Sequence, residues 1–191
     1  DWSSDVCSSD LFTYCWGANR NGEIGDGTME ARLTPTRVVG GPAFSAVGTS
    51  YFGTCGLPQG GGEAWCWGRG QATPAPLSGG LGFVQLAVGA QHACAVTANG
   101  AARCWGQNAY GALGDGSPYR GGQVDFRAIP VAVAGGLSFA QVSAGDHHSC
   151  GITTSTGVVY CWGSDYNGEL GIGFPSTDVY MQPVEIGRAH V

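Results

Sequence analysis

The chain has 191 residues, 35 of them glycine, which is more than twice the usual share of about 7%. Only 12% of residues are charged, there is no lysine, and the formal net charge is −6, which excludes a basic chain built to hold nucleic acid or phosphate. Hydrophobic residues at 43% exclude a disordered polar chain, and neither a Gly-X-Y period nor a helix-length membrane-spanning apolar run is present. What remains is a turn-rich, all-β protein.

The two ends read as something other than natural protein. Asp1 to Leu11 back-translates into a short-read sequencing adapter. Ile186 to Val191 back-translates into the reverse complement of the same adapter, with Glu185 supplying its first bases. Segments 1–11 and 186–191 are therefore expected to be adapter artefact, and 12–185 a gene fragment. Setting the ends aside removes Asp1, Asp5, Asp10 and Arg188, which brings the net charge to −4. Abundant Ala, Gly and Arg without Lys fit a sequencing fragment from a GC-rich, bacterial, metagenomic source.

Between the ends the chain repeats. A partial repeat at 12–34 opens on Cys15-Trp16-Gly17 and is followed by repeats at about 35–73, 74–129 and 130–182. Each full repeat starts at a proline (Pro35, Pro74, Pro130) and runs through a Gly pair to Phe44, Phe83 or Phe139. A cysteine follows each Phe by 11 residues (Cys55, Cys94, Cys150), and a Cys-Trp-Gly begins 10 or 11 residues later at Cys66, Cys104 or Cys161. After three of the four Cys-Trp-Gly triplets comes a second motif: Gly22–Thr28, Gly111–Ser117 and Gly168–Gly173. The Trp67 repeat lacks it, and Ile172 stands where the other two have Asp26 and Asp115. A period near 50 indicates a propeller, solenoid or array.

Short apolar or alternating runs predict strands at Phe83–Val88, His92–Thr97 and Ala101–Trp105, separated by Gly or Asn-Gly turns. Ala98-Asn99-Gly100 suits a three-residue hairpin loop. That register sets Thr97 opposite Ala101 and Cys94 opposite Cys104, within reach of a disulfide.

Gly89-Ala-Gln-His92-Ala-Cys94, Cys104-Trp-Gly-Gln-Asn108 and Gly111-Ala-Leu-Gly-Asp-Gly-Ser117 together resemble a repeat of the regulator of chromosome condensation family. Gly145–Pro183 resembles it equally, and Ser50–Pro74 less well, because Ser50 and Gly53 replace the motif's Gly and His. The resemblance implies a β-propeller of four-stranded antiparallel blades, usually seven. The expected fold is thus all-β: a partial propeller of about three to four blades forming an open arc.

The chemistry-bearing residues read mostly as structure. Cys55/Cys66, Cys94/Cys104 and Cys150/Cys161 could be disulfides, reduced core cysteines or zinc ligands. No Cys-x-x-Cys spacing exists, and the disulfide reading is taken. Cys15 then lacks a partner, which would fall at residue 4 or 5. His92 and His148 recur at one repeat position, as a shared structural hydrogen bond would. Asp26 and Asp115 read as turn carboxylates and Trp67, Trp105 and Trp162 as blade core. No nucleophile elbow, phosphate loop, metal site or cofactor site is expected.

The loops Ala18–Thr34, Gln107–Ile129 and Ser164–Gln182 differ most between repeats. Tyr119, Arg120, Phe126, Arg127, Tyr166 and Tyr180 have the aromatic and arginine character of interface anchors. The expected function is a non-catalytic, exported scaffold (extracellular, periplasmic or at the cell surface) binding a protein or glycan through loops on one face. The family's secreted β-lactamase inhibitors make this plausible by resemblance. The alternative is a guanine-nucleotide exchange factor for a small GTPase, against which paired cysteines argue.

Overall fold

The structure, a computed structural model, describes the backbone of residues 6–9 and all of residues 12–51, 53–118, 123, 125–173 and 178–187. Every regular element among them is a strand. One three-stranded sheet holds β1 (Val6–Ser9), β2 (Thr13–Gly17) and β3 (Arg32–Arg37). A second holds β4 (Phe44–Ser50), β5 (Gly53–Pro58), β6 (Trp65–Gly68) and β7 (Gln71–Pro76). A third holds β8 (Phe83–Val88), β9 (His92–Thr97), β10 (Ala102–Gln107) and β11 (Phe126–Ala132). The fourth holds β12 (Phe139–Ala144), β13 (His148–Thr153), β14 (Val159–Ser164) and β15 (Val179–Gly187). Strand order follows chain order in every sheet, so each is an antiparallel meander. The chain divides into two compact units, Asp1–Val88 and Gly89–Val191.

The register is the predicted one. Cys94 faces Cys104, and the Thr97 amide donates to the Ala101 carbonyl. Cys55 faces Cys66 and Cys150 faces Cys161. All three pairs are disulfides, with Cα atoms 4.1, 4.1 and 4.0 Å apart. Cys15 corrects the expectation that it is orphaned. It is disulfide-bonded, and the backbone register sets Cys7 opposite it. Here the opposed cysteines stand two residues from the innermost pair, Ser9 and Thr13, where Cys94 and Cys104 stand three from Thr97 and Ala101. The cysteine spacing shrinks accordingly, which the 10- or 11-residue rule did not foresee.

Each Cys-Trp-Gly does three jobs. Its Cys is disulfide-bonded, and in the three four-stranded sheets its Trp is buried: Trp67, Trp105 and Trp162 are at most 5% exposed, whereas Trp16 is half-buried. Its Gly marks a break in register with the next strand, at Gly17, Gly68, Gly106 and Gly163. These four glycines have φ between 96° and 116°. That is a bulge conformation for which glycine is suited and side-chain-bearing residues are not. A Cβ on Gly106 would also lie 2.7 Å from the Gln91 carbonyl oxygen and from the His92 Cα. The bulge allows β10 to continue to Gln107, beyond the predicted end at Trp105.

The repeated Phe packs beneath this layer. Phe44, Phe83 and Phe139 are each 1% exposed. Phe44 lies 5.6 Å from Trp67 and Phe139 5.8 Å from Trp162, centroid to centroid. Gly56 and Gly151 make room for the rings, since a Cβ there would approach them to 2.6 and 2.5 Å. The repeat lacking the Gly-Asp-Gly segment closes β6 to β7 with Arg69 and Gly70, both at positive φ. That is the two-residue hairpin geometry compatible with strand twist.

Gly106→Ala is expected to destabilise unit Gly89–Val191 by several times the cost of Gly171→Ala. Gly171 also has positive φ, +68°, but an added Cβ meets nothing within 4 Å. Backbone strain alone should cost about 1–2 kcal/mol there, and thermal melts of both variants test the ranking.

Candidate functional site

The connections β2–β3, β10–β11 and β14–β15 carry the second sequence motif, and each is held by one side chain. Asn19 Oδ1 accepts the Ile24 amide at 2.9 Å, and Asn108 Oδ1 accepts the Leu113 amide at 3.1 Å. Asp165 Oδ1 does the same for the Leu170 amide at 3.0 Å. All three are buried, and so are Ile24, Leu113 and Leu170. The carboxamides use their other end as well. Asn19 Nδ2 donates to Asp26 Oδ1 at 3.4 Å and Asn108 Nδ2 to Asp115 Oδ1 at 3.3 Å.

Those aspartates then cap the loop. Asp26 accepts the Thr28 amide and Asp115 the Ser117 amide, both at 2.9 Å. Burial opposes ionisation of Asp26, but the Thr28 hydroxyl, Arg32 and the Thr28 amide prevail and hold its carboxyl below the usual range. Arg32 Nε donates to Asp26 Oδ2 at 2.6 Å. Arg127 plays the same part in the other loop, 3.6 Å from Asp115 and bonded to Asp125. The last loop departs twice. Asp165 replaces the Asn and has no amide N–H to offer, and Ile172 replaces the Asp that would have received it.

The stapled loop docks on the following sheet. Gly25 and Gly114 lie flat on the indoles of Trp67 and Trp162, where a Cβ would come within 2.6 and 2.7 Å. The Glu23 carbonyl accepts the Thr54 hydroxyl at 2.7 Å. The Ala112 carbonyl accepts both the Ser149 hydroxyl and Trp162 Nε1–H, each at 2.9 Å. His92 Nε2 lies 2.7 Å from Ser149 Oγ. With the Ser149 proton given to Ala112, His92 donates Nε2–H, and its buried Nδ1 is left without a partner.

A His–Ser pair at this distance has the spacing of a base and its nucleophile. Ser149, however, is wholly buried and its proton is committed to a backbone carbonyl. The pair is a seam between sheets, a structural hydrogen bond of His92. Among the described residues no three His, Cys, Asp or Glu side chains cluster in a way that could hold a metal ion. No helix among them is long and apolar enough to cross a membrane.

In each four-stranded sheet the first turn, β4–β5, β8–β9 or β12–β13, leaves the same end as the third connection, because successive connections of a meander leave opposite ends. In the fourth sheet's surroundings three rings converge there. Tyr110 comes from β10–β11, His147 from β12–β13 and Tyr166 from β14–β15. Ring centroids are 4.7 Å apart for Tyr110 and His147 and 5.9 Å for Tyr110 and Tyr166, the latter edge to face. Tyr166 is 44% exposed, and the Asp146 carboxylate beside His147 is exposed.

Of the six predicted anchors, Tyr166 thus belongs to a cluster. Phe126 is exposed at the start of β11, and Tyr180 is half-buried in β15. Arg127 is engaged by the loop carboxylates. Tyr119 and Arg120 lie outside the described residues. Tyr110, Asp146 and His147 are not among the anchors that the sequence predicts.

The Regulator of chromosome condensation (RCC1) repeat profile matches residues 83–112 and 139–169, and a second profile of the same description matches 99–152. The Ultraviolet-B receptor UVR8 of Arabidopsis thaliana is 30% identical over 176 residues, covering 83% of this chain and 38% of the receptor. The yeast RCC1 protein Prp20, solved bound to Kap60, superposes with a TM-score of 0.78 at 20% identity, over 97% of this chain and 47% of that one. The ectodomain of the receptor kinase CR4 from Physcomitrella patens superposes with a TM-score of 0.58 at 24% identity, over 90% of this chain and 41% of that one. The chain therefore spans less than half of each, and the structural likenesses show the fold, a partial β-propeller.

Two outcomes test this architecture. Ile172→Asp should destabilise by about 1–2 kcal/mol through repulsion from Asp165, and adding Asp165→Asn should recover most of the loss, as a double-mutant cycle would read. Burial first, then the fields of His148 and His147, depress the His92 pKa from 6.5 to about 4. The native state thus binds fewer protons than the unfolded chain between those values, so stability is full above pH 6.5 and falls as pH drops towards 4. The loss should be on the order of 3 kcal/mol. His92→Gln, which retains a donor for Ser149, should flatten that part of the pH dependence of the urea midpoint.

Proposed function

The chain belongs to the Regulator of chromosome condensation (RCC1) repeat family, and on that premise we propose that it is a non-catalytic scaffold for a protein partner. The partner sits on the end of the sheets of Gly89–Val191 that carries the β10–β11 and β14–β15 loops and the β12–β13 turn.

One observation carries this reading. Across the three stapled loops the staple, the loop glycine and the bulge glycine recur, whereas the positions between them vary at the loop end of each sheet. Arg20-Asn21 in the first stapled loop become Ala109-Tyr110 and then Tyr166-Asn167. Tyr51 in one turn becomes Ala90-Gln91 and then Asp146-His147. Variable side chains on a rigid frame are a binding surface in the making. Reaction chemistry finds no support in the His92–Ser149 pair, whose base–nucleophile spacing is sealed in the seam. The complex of the related Prp20 fold with Kap60 supports a protein as the partner class.

Export accords with the three hairpin disulfides, which persist in oxidising compartments. The resemblance to a receptor ectodomain points the same way. An exchange factor for a small GTPase would work in a reducing compartment, where such pairings are rare.

The test uses Tyr119→Ala, Arg120→Ala and Phe126→Ala together, leaving Arg127 in place because its loss would loosen the β10–β11 loop. The triple variant should bind a partner recovered by crosslinking capture at least tenfold more weakly, with a melting temperature within a few degrees of the parent. Asn99→Ala, on the opposite end of the sheet, should leave binding unchanged. The opposite pattern, loss with Asn99→Ala and retention with the triple variant, would place the partner on the other end.

A further inference from the structure

We propose that the Tyr110–His147–Tyr166 cluster, with Asp146 at its rim, receives a cationic side chain, an arginine or lysine, from the protein partner. This deepens the loop-end reading and rests on it.

Three separate connections deliver the rings to one place, and their packing is incomplete. Tyr110 is half-buried between the other two, while Tyr166 leaves 44% of its surface to solvent. The face of a phenol ring carries partial negative charge and attracts a guanidinium or ammonium laid over it. An exposed carboxylate stands at the rim of these rings. The Asp146 carboxylate is 57% exposed and stands 3.7 Å from His147 Nε2, beyond hydrogen-bonding reach. Glu169 lies in the same loop as Tyr166. Burial opposes its ionisation, but the Asn167 amide and side chain, each donating at 2.9 Å, hold its carboxyl below the usual range.

Among the described residues the basic groups beside these carboxylates are the imidazoles of His147, 3.7 Å from Asp146, and of His148, whose field also lowers the Glu169 carboxyl; no arginine answers them. Among the described residues of Gly89–Val191 the arginines are Arg103 and Arg127. Arg103 sits within β10, opposite Ala95 and Ala132 in the register, and Arg127 is spent on Asp115 and Asp125. The patch is therefore aromatic and rimmed by carboxylates that no arginine of the unit meets. A planar guanidinium suits it best, stacking on one tyrosine while donating to Asp146.

The experiment titrates the whole chain, by calorimetry at low salt, with three eight-residue peptides of one sequence carrying Arg, citrulline or Glu at alternate positions. Citrulline retains the shape of arginine without its charge. The Arg peptide should bind at least tenfold more tightly than the citrulline peptide, and the Glu peptide should not bind. Tyr166→Ala and Asp146→Asn should each weaken the Arg peptide at least fivefold, whereas Tyr166→Phe, which keeps the ring, should bind nearly as the parent does. Circular dichroism and melting temperature check that each variant is folded. Equal binding of Arg and citrulline peptides, or unchanged binding in folded Tyr166→Ala and Asp146→Asn, overturns the proposal. If Tyr166→Ala still releases the captured protein partner in that case, the loop end stands and only the cation chemistry falls. If neither the peptide nor the partner responds to Tyr166→Ala, the cation site falls, and the loop-end reading falls with it only if the Tyr119, Arg120 and Phe126 variant also binds as the parent does.

Discussion

A single side-chain oxygen accepting the backbone amide five residues ahead shapes most of what is distinctive here. Asn19, Asn108 and Asp165 each turn a connection that has no regular structure of its own into a fixed object. Once the loop is fixed, its apolar residue is buried and a carbonyl is aimed outward. That carbonyl accepts Thr54 in one unit and Ser149 with Trp162 in the other. A buried carboxamide is costly unless its donors and acceptor are satisfied. Asn19 meets this by donating to Asp26, to the Thr28 and Glu30 carbonyls and to the Thr28 hydroxyl. The cost of burying the group is thereby converted into a strict requirement on loop shape.

The same logic explains why two substitutions in the last loop occur together. A carboxylate at 165 still accepts an amide but cannot donate, so an aspartate seven residues on would face like charge without compensation. Ile172 avoids that encounter. The seam shows a parallel economy: His92 and Ser149 are polar, buried and complementary, and their protons run in one direction into the Ala112 carbonyl. Disulfides fix the middle of each sheet, bulges aim the long loops, and staples fix the loops against the neighbouring sheet. Each device acts at a different distance from the sheet centre, and none substitutes for another.

Much of this frame is legible in the sequence because its determinants are local in register. Phe-to-Cys and Cys-to-Cys offsets report strand lengths and hairpin turns, which is why strands and crosslinks emerged with the correct partners. Cys15 was misjudged because the rule carried a strand length that its hairpin does not share. Arg127 was read as a surface anchor although Arg32 holds the equivalent place. The separation from the paired aspartate is 6 residues for Arg32 and 12 for Arg127, which conceals the equivalence. The Tyr110, His147 and Tyr166 cluster was invisible for a deeper reason. It exists only where three connections from two sheets meet, and no spacing along the chain records that meeting.

The docking of a loop on the next indole has a direction. Within each unit the earlier sheet supplies the glycine and carbonyl, and the later sheet supplies the tryptophan and hydroxyl. The tryptophan and the loop glycine stand in both later repeats (Trp105 and Gly114, Trp162 and Gly171), whereas the hydroxyl does not, since Ala93 stands where Thr54 and Ser149 do; a duplicated repeat thus arrives with the stacking part of the joint at both its sides. Lineages can change the number of repeats without evolving a new interface, and the length of such a gene becomes cheap to vary. The Trp67 repeat shows the reverse event. Its shortened β6–β7 hairpin has kept the receiving half and lost the giving half, leaving a scar of deletion in a joint whose stacking part duplication would otherwise copy.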